Sequence, residues 1–527
     1  VSAQSSVYNL LDGKFFEDPF WHLKQTSDFL KFPGQIVLLH KKYRGKVANS
    51  IKKQRGKIEN RFVYLHFSLI FIIFSMFFSK EIVMDYVFER KIYGQILQWK
   101  QENNGKSALL VEGARRIGKS TIVERFAKRE YKSYILIDFN KASERVLHLF
   151  DDLMDLDYIF LFLQSIYHTT LYQRESLIIF DEVQKCPMAR QAVKYLVQDG
   201  RYYYIETGSL ISIKQSTQNI TIPSEEDRIE MFPMDYEEFR WAMNDTATIP
   251  LLRKQLEKGQ SVGDDLNRQY MRDLRLYMLV GGMPQAVSEY LNTKNLRSVD
   301  MVKRKILKLY FDDFRKIDKN GKIGRLYQAI PTMLSRGVGR FYPTAVIKGT
   351  GADKMEDLLI ALEDSRTVNI ACHTTDPNVG LLLNEDRNRM KIYIGDTGLM
   401  ITLAFWDKSF TENVLYDKLL ADRLPANMGY IYENLAAQML RSSGNNLYFY
   451  TWAKDERHNY EVDFLLSRGT KICPIEIKSA SYKSHVSLDT FCDKFSSRID
   501  KRYVVCTKDL RQDGETTVLP IYMLGLI

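Results

Sequence analysis

The hydrophobic pattern of the chain alternates short apolar runs with longer amphipathic stretches. Ala108-Leu-Leu-Val-Glu112 and Leu177-Ile-Ile-Phe180 are continuous apolar runs, the mark of strands buried on both faces. Residues 134–138 and 202–206 read the same way, and residues 121–128 keep their apolar positions on one helical face. Strands separated by helices predict a parallel α/β sheet whose ligand lies at the carboxyl ends of the strands. Farther on the period changes. Residues 460–466 alternate polar and apolar positions, turn at Ser467-Arg468-Gly469 and return through residues 471–478. That predicts a β-hairpin bringing Asp463 close to Glu476 and Lys478. Residues 430–440 have helical periodicity and carry Glu433. With 527 residues the chain exceeds what one core holds, so three or four domains are expected.

Two apolar runs end in chemistry. Gly113-Ala-Arg-Arg-Ile-Gly118-Lys119-Ser120 follows the first, in the order strand, GxxxxGK[ST], helix. Its glycines let successive backbone N–H groups turn toward phosphate oxygens, and the helix N-terminus adds partial positive charge. Gly113, Ala114, Arg115, Arg116, Ile117, Gly118, Lys119, Ser120 and Thr121 are therefore the expected nucleotide-binding residues, with ATP and Mg²⁺ as the expected ligands. Lys119 is expected to reach the β- and γ-phosphates, and the Ser120 hydroxyl to hold Mg²⁺. The second run ends in Asp181-Glu182. There Asp181 is the expected partner of Mg²⁺, and Glu182 the group that orients and deprotonates the attacking water. After the fourth run, Thr207 and Ser209 are candidate sensors of the γ-phosphate or ordinary turn residues.

The downstream hairpin offers a second constellation. Glu433, Asp463 and Glu476 converging on one point have the donors for Mg²⁺, and Lys478 beside them has the charge to activate a water. The alternative is a hairpin with charged residues on its exposed side.

Charge narrows the partners. The chain carries a net charge of +10, but residues 1–83 hold 13 basic and 6 acidic groups, so the rest is close to neutral. Whole-chain charge is thus no argument for nucleic acid. Residues 1–83 hold the basic run Lys41-Lys42-Tyr43-Arg44 and, at 64–78, an apolar stretch of 15 residues. A spanning helix needs roughly 20. Three readings stay open for this extension: translated upstream sequence before Met84, a membrane anchor, or a soluble arm. Five scattered cysteines without CxxC pairs fit a reducing cytosol, with no disulfide framework or structural zinc.

Taken together, residues 84–527 resemble a family of prokaryotic ATPases. These have an AAA-type domain followed by a C-terminal domain of unknown function related to PD-(D/E)xK nucleases. The resemblance runs through Val111-Glu-Gly-Ala-Arg-Arg-Ile-Gly-Lys-Ser120, Ile179-Phe-Asp-Glu-Val-Gln-Lys185 and Glu206-Thr-Gly-Ser-Leu210. It continues through Phe232-Pro-Met-Asp-Tyr-Glu-Glu-Phe239, Val280-Gly-Gly-Met-Pro284 and Lys391-Ile-Tyr-Ile-Gly-Asp-Thr-Gly-Leu399. Gly429-Tyr-Ile-Tyr-Glu-Asn434 and the Asp463, Glu476, Lys478 set complete it.

The resemblance implies a P-loop sheet over residues 84–245 and a helical lid with a winged-helix-like region over 246–400. It implies a nuclease-like α/β domain over 401–527. Gly281-Gly282 and Pro284 open the lid, residues 324–369 read as helices with a segment begun by Pro343, and residues 391–394 as a strand. DNA, a protein partner and a second copy of the chain are the candidate partners. One departure concerns an arginine finger: relatives carry Gly-Arg where this chain reads Pro223-Ser-Glu-Glu-Asp-Arg228, so Arg228 is not expected to serve as one. Arg115 and Arg116 are expected to face solvent or phosphate without a catalytic role.

Overall fold

In the computed structural model, residues 86–208, 224–337, 339–407, 420, 429–479 and 483–527 are described. The apolar stretch at 64–78 and Ser209 lie outside them. The four expected strands are present as β1 (Ala108–Glu112), β2 (Ser133–Asp138), β3 (Ser176–Asp181) and β4 (Tyr203–Gly208). They form a five-stranded, all-parallel sheet in the order β2-β3-β4-β1-β5. Its edge strand β5 (Glu226–Glu230) was not expected from the sequence. Glu-Asp-Arg-Ile-Glu has no apolar run, because an edge strand buries little, and the main-chain ladder with β1 from Ala108–Glu226 to Glu112–Glu230 forms without one.

Helices flank this sheet. They include α1 (Ile92–Asn103), α2 (Lys119–Glu130), α3 (Leu156–Tyr167) and α4 (Pro187–Asp199). The helix α2 buries Ile122, Val123, Phe126 and Ala127 against one face. On the other face, β2 and β3 side chains pack with Ile159, Phe160 and Leu163 of α3 and Val193 and Leu196 of α4.

The lid region is helical: α5 (Tyr236–Ala242), α6 (Thr248–Lys258), α7 (Asp264–Val280), α8 (Pro284–Thr293), α9 (Leu296–Ile317), α10 (Lys322–Ser335), α11 (Ala352–Asp364) and α12 (Thr397–Ala404). The Pro343 segment is a single turn, Pro343–Val346. Of the expected winged-helix strand, residues 391–394 are the end of a longer strand β7 (Glu385–Ile394), which pairs with β6 (Val368–Thr374). Both strands belong to the second sheet, because β6 runs parallel to β8 (Leu447–Ala453). Main-chain pairing of β6 with a strand some 75 positions away leaves no trace in local periodicity.

That second sheet has eight strands, in the order β12-β13-β11-β10-β9-β8-β6-β7. Its hairpin is β9 (Asn459–Arg468) against β10 (Lys471–Ile477), in antiparallel register Lys471–Arg468 to Ile475–Phe464. Strands β11 (Arg502–Cys506), β12 (Arg511–Asp513) and β13 (Thr516–Pro520) complete it. Helix α13 (Gly429–Ser442) covers one face with Ile431, Leu435 and Leu440, and α14 (Val486–Lys494) covers the other with Leu488 and Phe491. One apolar core runs from β1 and α2 through α7, α9, α10 and α12 to α13 and the second sheet. The two sheets are therefore joined by apolar packing, not by a solvated linker.

Two glycine-bearing landmarks meet in that core. A Cβ on Gly398 would lie 2.6 Å from Gly281 Cα, and one on Gly282 would lie 2.1 Å from Met234 O. Asp396 accepts a hydrogen bond from Gly282 N–H at 2.5 Å and caps α12 through Leu399 N–H at 2.8 Å. The spacing of glycines at 281–282 and 395–398 follows from this close backbone approach.

Candidate functional site

The nucleotide site is built at the carboxyl ends of β1, β3 and β4. Gly118 has φ +95° and caps α2 without a side-chain hydrogen bond, leaving the first helical N–H groups free for a phosphate. Gly113 has φ +151°, and a Cβ there would lie 2.3 Å from Met231 O, so this turn accepts no side chain. Gly113→Ala is expected to destabilise the chain by about 2–3 kcal/mol, through backbone strain at a special φ/ψ position. Its thermal midpoint, compared with wild type by calorimetry, measures this.

Inside the loop, Lys119 is buried, and its Nζ donates to Gly113 O (2.9 Å) and Ala114 O (2.8 Å). Burial lowers its pKa to about 8, against the pull of Glu182 and Asp181. Ser120 Oγ donates to Asp181 Oδ1 at 2.6 Å, and Thr207 Oγ1 donates to the same oxygen. Two hydroxyls and a carboxylate thus meet at one point beneath the loop. This donor set fits a hard cation such as Mg²⁺, which Ser120 and Asp181 would hold. Glu182 follows with φ +56°, its Oε2 accepting from Gln184 Nε2. The side chain of Thr121 is exposed at the start of α2, and Ile117 is buried.

Other elements brace the loop from outside. Arg90 donates to Ile117 O (2.8 Å) and Phe232 O (2.6 Å) and pairs with Glu238 at 3.1 Å. Arg115 Nη1 lies 2.9 Å from both carboxylate oxygens of Asp313 on α9, and Tyr310 of the same helix donates to Arg115 O at 2.9 Å. Arg115 is therefore tied to the lid. Arg116 is exposed, with φ +69°. Arg228 lies on β5, exposed and paired with Glu226 at 2.8 Å.

Beneath the sheet is an ion cluster that the sequence did not disclose. Arg190 on α4 is buried and reaches Glu226 at 2.8 Å and Glu206 at 3.5 Å. Burial raises Glu206 to about 8, with Arg190 opposing. A second missed contact lies at the loop entrance. Arg366 pairs with Glu112, the residue before Gly113, at 2.7 Å, and approaches Glu230 at 3.6 Å. Arg441 of α13 pairs with the same Glu230 at 2.6 Å. A charged residue closing an apolar strand, as Glu112 does, was the one available signal.

The downstream constellation is brought together differently from expectation. Continuing the hairpin register by one pair sets Asp463 opposite Glu476, and Asp463 Oδ2 accepts from Ile477 N–H at 2.7 Å. Lys478 pairs with Glu476 at 2.8 Å. Burial raises Glu433 and Glu476 to about 7 each, and Asp463 is raised as well. Lys391 enters the same space from β7, buried, ion-paired with Glu461 and 3.9 Å from Glu433. Burial works against its ammonium, but Tyr393, Glu461, Glu433 and Asp463 outweigh that and hold its pKa well above the ordinary value.

Among the described residues no three His, Cys, Asp or Glu side chains are placed to hold a metal ion. Glu433, Asp463 and Glu476 nonetheless share one charged cluster, Glu433 and Glu476 each feeling the charge of Asp463. A resident lysine supplies the positive charge that the carboxylates need. Lys391 and Glu461 were not recognised as site residues in the sequence. Their signal was weak, since β7 also carries Glu385, Asp386, Arg387 and Arg389, and β9 also carries Asp463 and Arg468. Glu476 Oε2 remains buried without a hydrogen-bond partner.

These arrangements define the class. Residues 105–240 match the family model for an AAA domain, and they form an AAA-type P-loop ATPase domain whose ligand is ATP. Residues 271–409 match a domain of unknown function, DUF8612, and residues 428–524 another, DUF4143. No curated protein matches the chain. Among solved structures, the Walker-type ATPase PABY2304 of Pyrococcus abyssi is 17% identical, with a TM-score of 0.37, over 60% of this chain and 96% of that one. The RuvB Holliday junction branch migration motor of Thermotoga maritima is 13% identical, with a TM-score of 0.25, over 53% of this chain and 89% of its own. At such scores the likeness carries no functional weight. Among the described residues, no helix is long and apolar enough to cross a membrane.

Proposed function

We propose that the chain hydrolyses ATP and uses the nucleotide cycle to set the state of its C-terminal domain. The observation that carries this reading is the meeting of Ser120, Asp181 and Thr207 beneath Lys119, with Glu182 adjacent. Lys119 gives up its two carbonyl partners for phosphate oxygens. Glu182 orients a water toward the γ-phosphate and takes its proton. Ser120 and Asp181 would hold Mg²⁺, which would supply neutralisation of phosphate charge. The link to the second sheet is supported by helix α13. It carries Glu433 in the carboxylate cluster and, eight residues or about 12 Å along, Arg441 at Glu230 beside the loop strand. Gln438 of the same helix accepts from Thr397 N–H at 2.8 Å and donates to Tyr277 Oη at 2.9 Å.

For the C-terminal domain the leading reading is a nuclease-like site acting on DNA, supported by Asp463, Glu476 and Lys478 at one hairpin end. The rival is a switch that binds a protein partner and cuts nothing, and the presence of Lys391 among the carboxylates favours it. Nicking of supercoiled plasmid with Mg²⁺ or Mn²⁺ separates them. On the nuclease reading wild type nicks, and Asp463→Ala loses at least a hundredfold in rate. Equal inactivity of both proteins with every metal and nucleotide leaves the switch.

A further inference from the structure

On the outer flank of the phosphate loop, Arg116, Gln285, Lys305, Ile306, Lys308 and Leu309 line an open cavity of about 340 Å³. Three of these six side chains are cations, and none is acidic. Arg116, Lys305 and Lys308 are exposed, and among the described residues none of them has a carboxylate within ion-pair distance. The neighbouring Arg115 behaves in the opposite way, being matched by Asp313. The lining excludes Lys119, Ser120, Asp181 and Glu182 and shares only Arg116 with the loop expected to hold the triphosphate, so the cavity lies beside that place.

The charge continues along α9. Lys308 and Arg315 are seven residues apart, on one face and about 10 Å along the axis, and both are exposed. Two acids lie on that stretch, exposed Asp312 and half-buried Asp313, the second already paired with Arg115 and Lys316. Unpaired exposed lysines repel one another, and a chain whose body is nearly neutral has no general excess of charge to explain them. A track longer than a single phosphate fits an extended ligand whose negative charges repeat every few ångströms. Flexible lysines and one arginine, with no aromatic platform in the lining, fit backbone phosphates and not bases.

We infer that Arg116, Lys305 and Lys308 form a sequence-independent site for the phosphate backbone of nucleic acid. This deepens the reading that DNA is the target, and it places the contact beside the nucleotide loop, not in the region first expected to resemble a winged helix. Arg116 is part of the loop itself, so bound nucleic acid and bound ATP touch the same turn.

The test uses the full chain, with fluorescence anisotropy of a labelled 30-base-pair DNA of arbitrary sequence, in EDTA and across a salt series. The test variant is the double change Lys305→Glu/Lys308→Glu. The control is Lys254→Glu/Lys258→Glu, which makes the same change in net charge on the exposed side of α6. The site variant is expected to bind at least tenfold more weakly, and its log–log salt slope to fall by about 2. The control should stay within twofold. Binding of a fluorescent ATP analogue should be unchanged in both.

Equal weakening by the control overturns the proposal, as does wild-type DNA affinity in the site variant. Loss of ATP binding in the site variant would assign the cavity to the nucleotide instead. Competition by poly-glutamate as effective as that by unlabelled DNA would make the patch a general polyanion surface and also refute the inference. Asp463→Ala protein run in parallel separates the two ideas. If it binds DNA normally and wild type never nicks plasmid, the nuclease reading falls and the binding site stands.

Discussion

Lys119→Ala is expected to bind ATP at least a hundredfold more weakly than wild type, as titration with a fluorescent ATP analogue or calorimetry will read. The ammonium is held in place before ATP arrives, because burial and the two carbonyls of Gly113 and Ala114 leave it few alternatives. It therefore loses little freedom when phosphate oxygens replace them. Charge-assisted hydrogen bonds of this kind contribute about 1.5–3 kcal/mol each, so losing two is enough for a hundredfold effect. Removing the side chain also leaves two buried carbonyls without a donor. A thermal melt of the ligand-free variant separates that structural cost from the loss of phosphate contacts. If Lys119→Ala bound ATP as well as wild type, the site would have to lie elsewhere.

Glu182→Gln gives the second large effect, with the opposite signature. The variant is expected to bind ATP within about twofold of wild type, with turnover lowered by a factor of about 10²–10⁴, the range for loss of a positioned general base. Glutamine keeps the volume and can still meet Gln184, so the unusual φ of +56° at this position is undisturbed. What it loses is the ability to take a proton. A single-turnover assay with pre-bound ATP reads the chemical step alone. Near-wild-type hydrolysis would move the base to another group, and Thr207 and Asp181, already bonded to each other, would not supply it.

The pair of variants also isolates the C-terminal domain. Glu182→Gln holds the ATP state, and Lys119→Ala holds the empty one. A partner or nucleic acid captured by one and not the other would show which state exposes the second sheet. The charged contacts at the loop entrance supply the physical route. Glu112 is fixed by Arg366, and Glu230 by Arg366 and Arg441. Glu112 ends β1 and Glu230 ends β5, so under the proposed coupling a shift of β1 would reach Arg366 directly and Arg441 through β5.

Sequence alone determined what local pattern encodes. Continuous apolar runs gave four buried parallel strands, since a strand covered on both faces has no polar positions to hide its identity. The phosphate loop was legible because its chemistry is made by consecutive residues, so spacing along the chain is spacing in space. The hairpin was legible for the same reason, since its two strands are joined by one short turn.

Tertiary structure decided everything that depends on residues far apart in the chain. The edge strand β5 carries no apolar signal, and β6 and β7 join the second sheet through main-chain pairing that side-chain periodicity cannot announce. Lys391 is one of several charges in β7, and only the fold places it among Glu433, Glu461 and Asp463. The loop from Gly113 to Ser120 folds as the strand–turn–helix that its spacing predicts. Its clamps at Asp313, Tyr310 and Arg366 come from 195 to 254 residues downstream, a range over which hydrophobic pattern carries no register and only packing selects the partner.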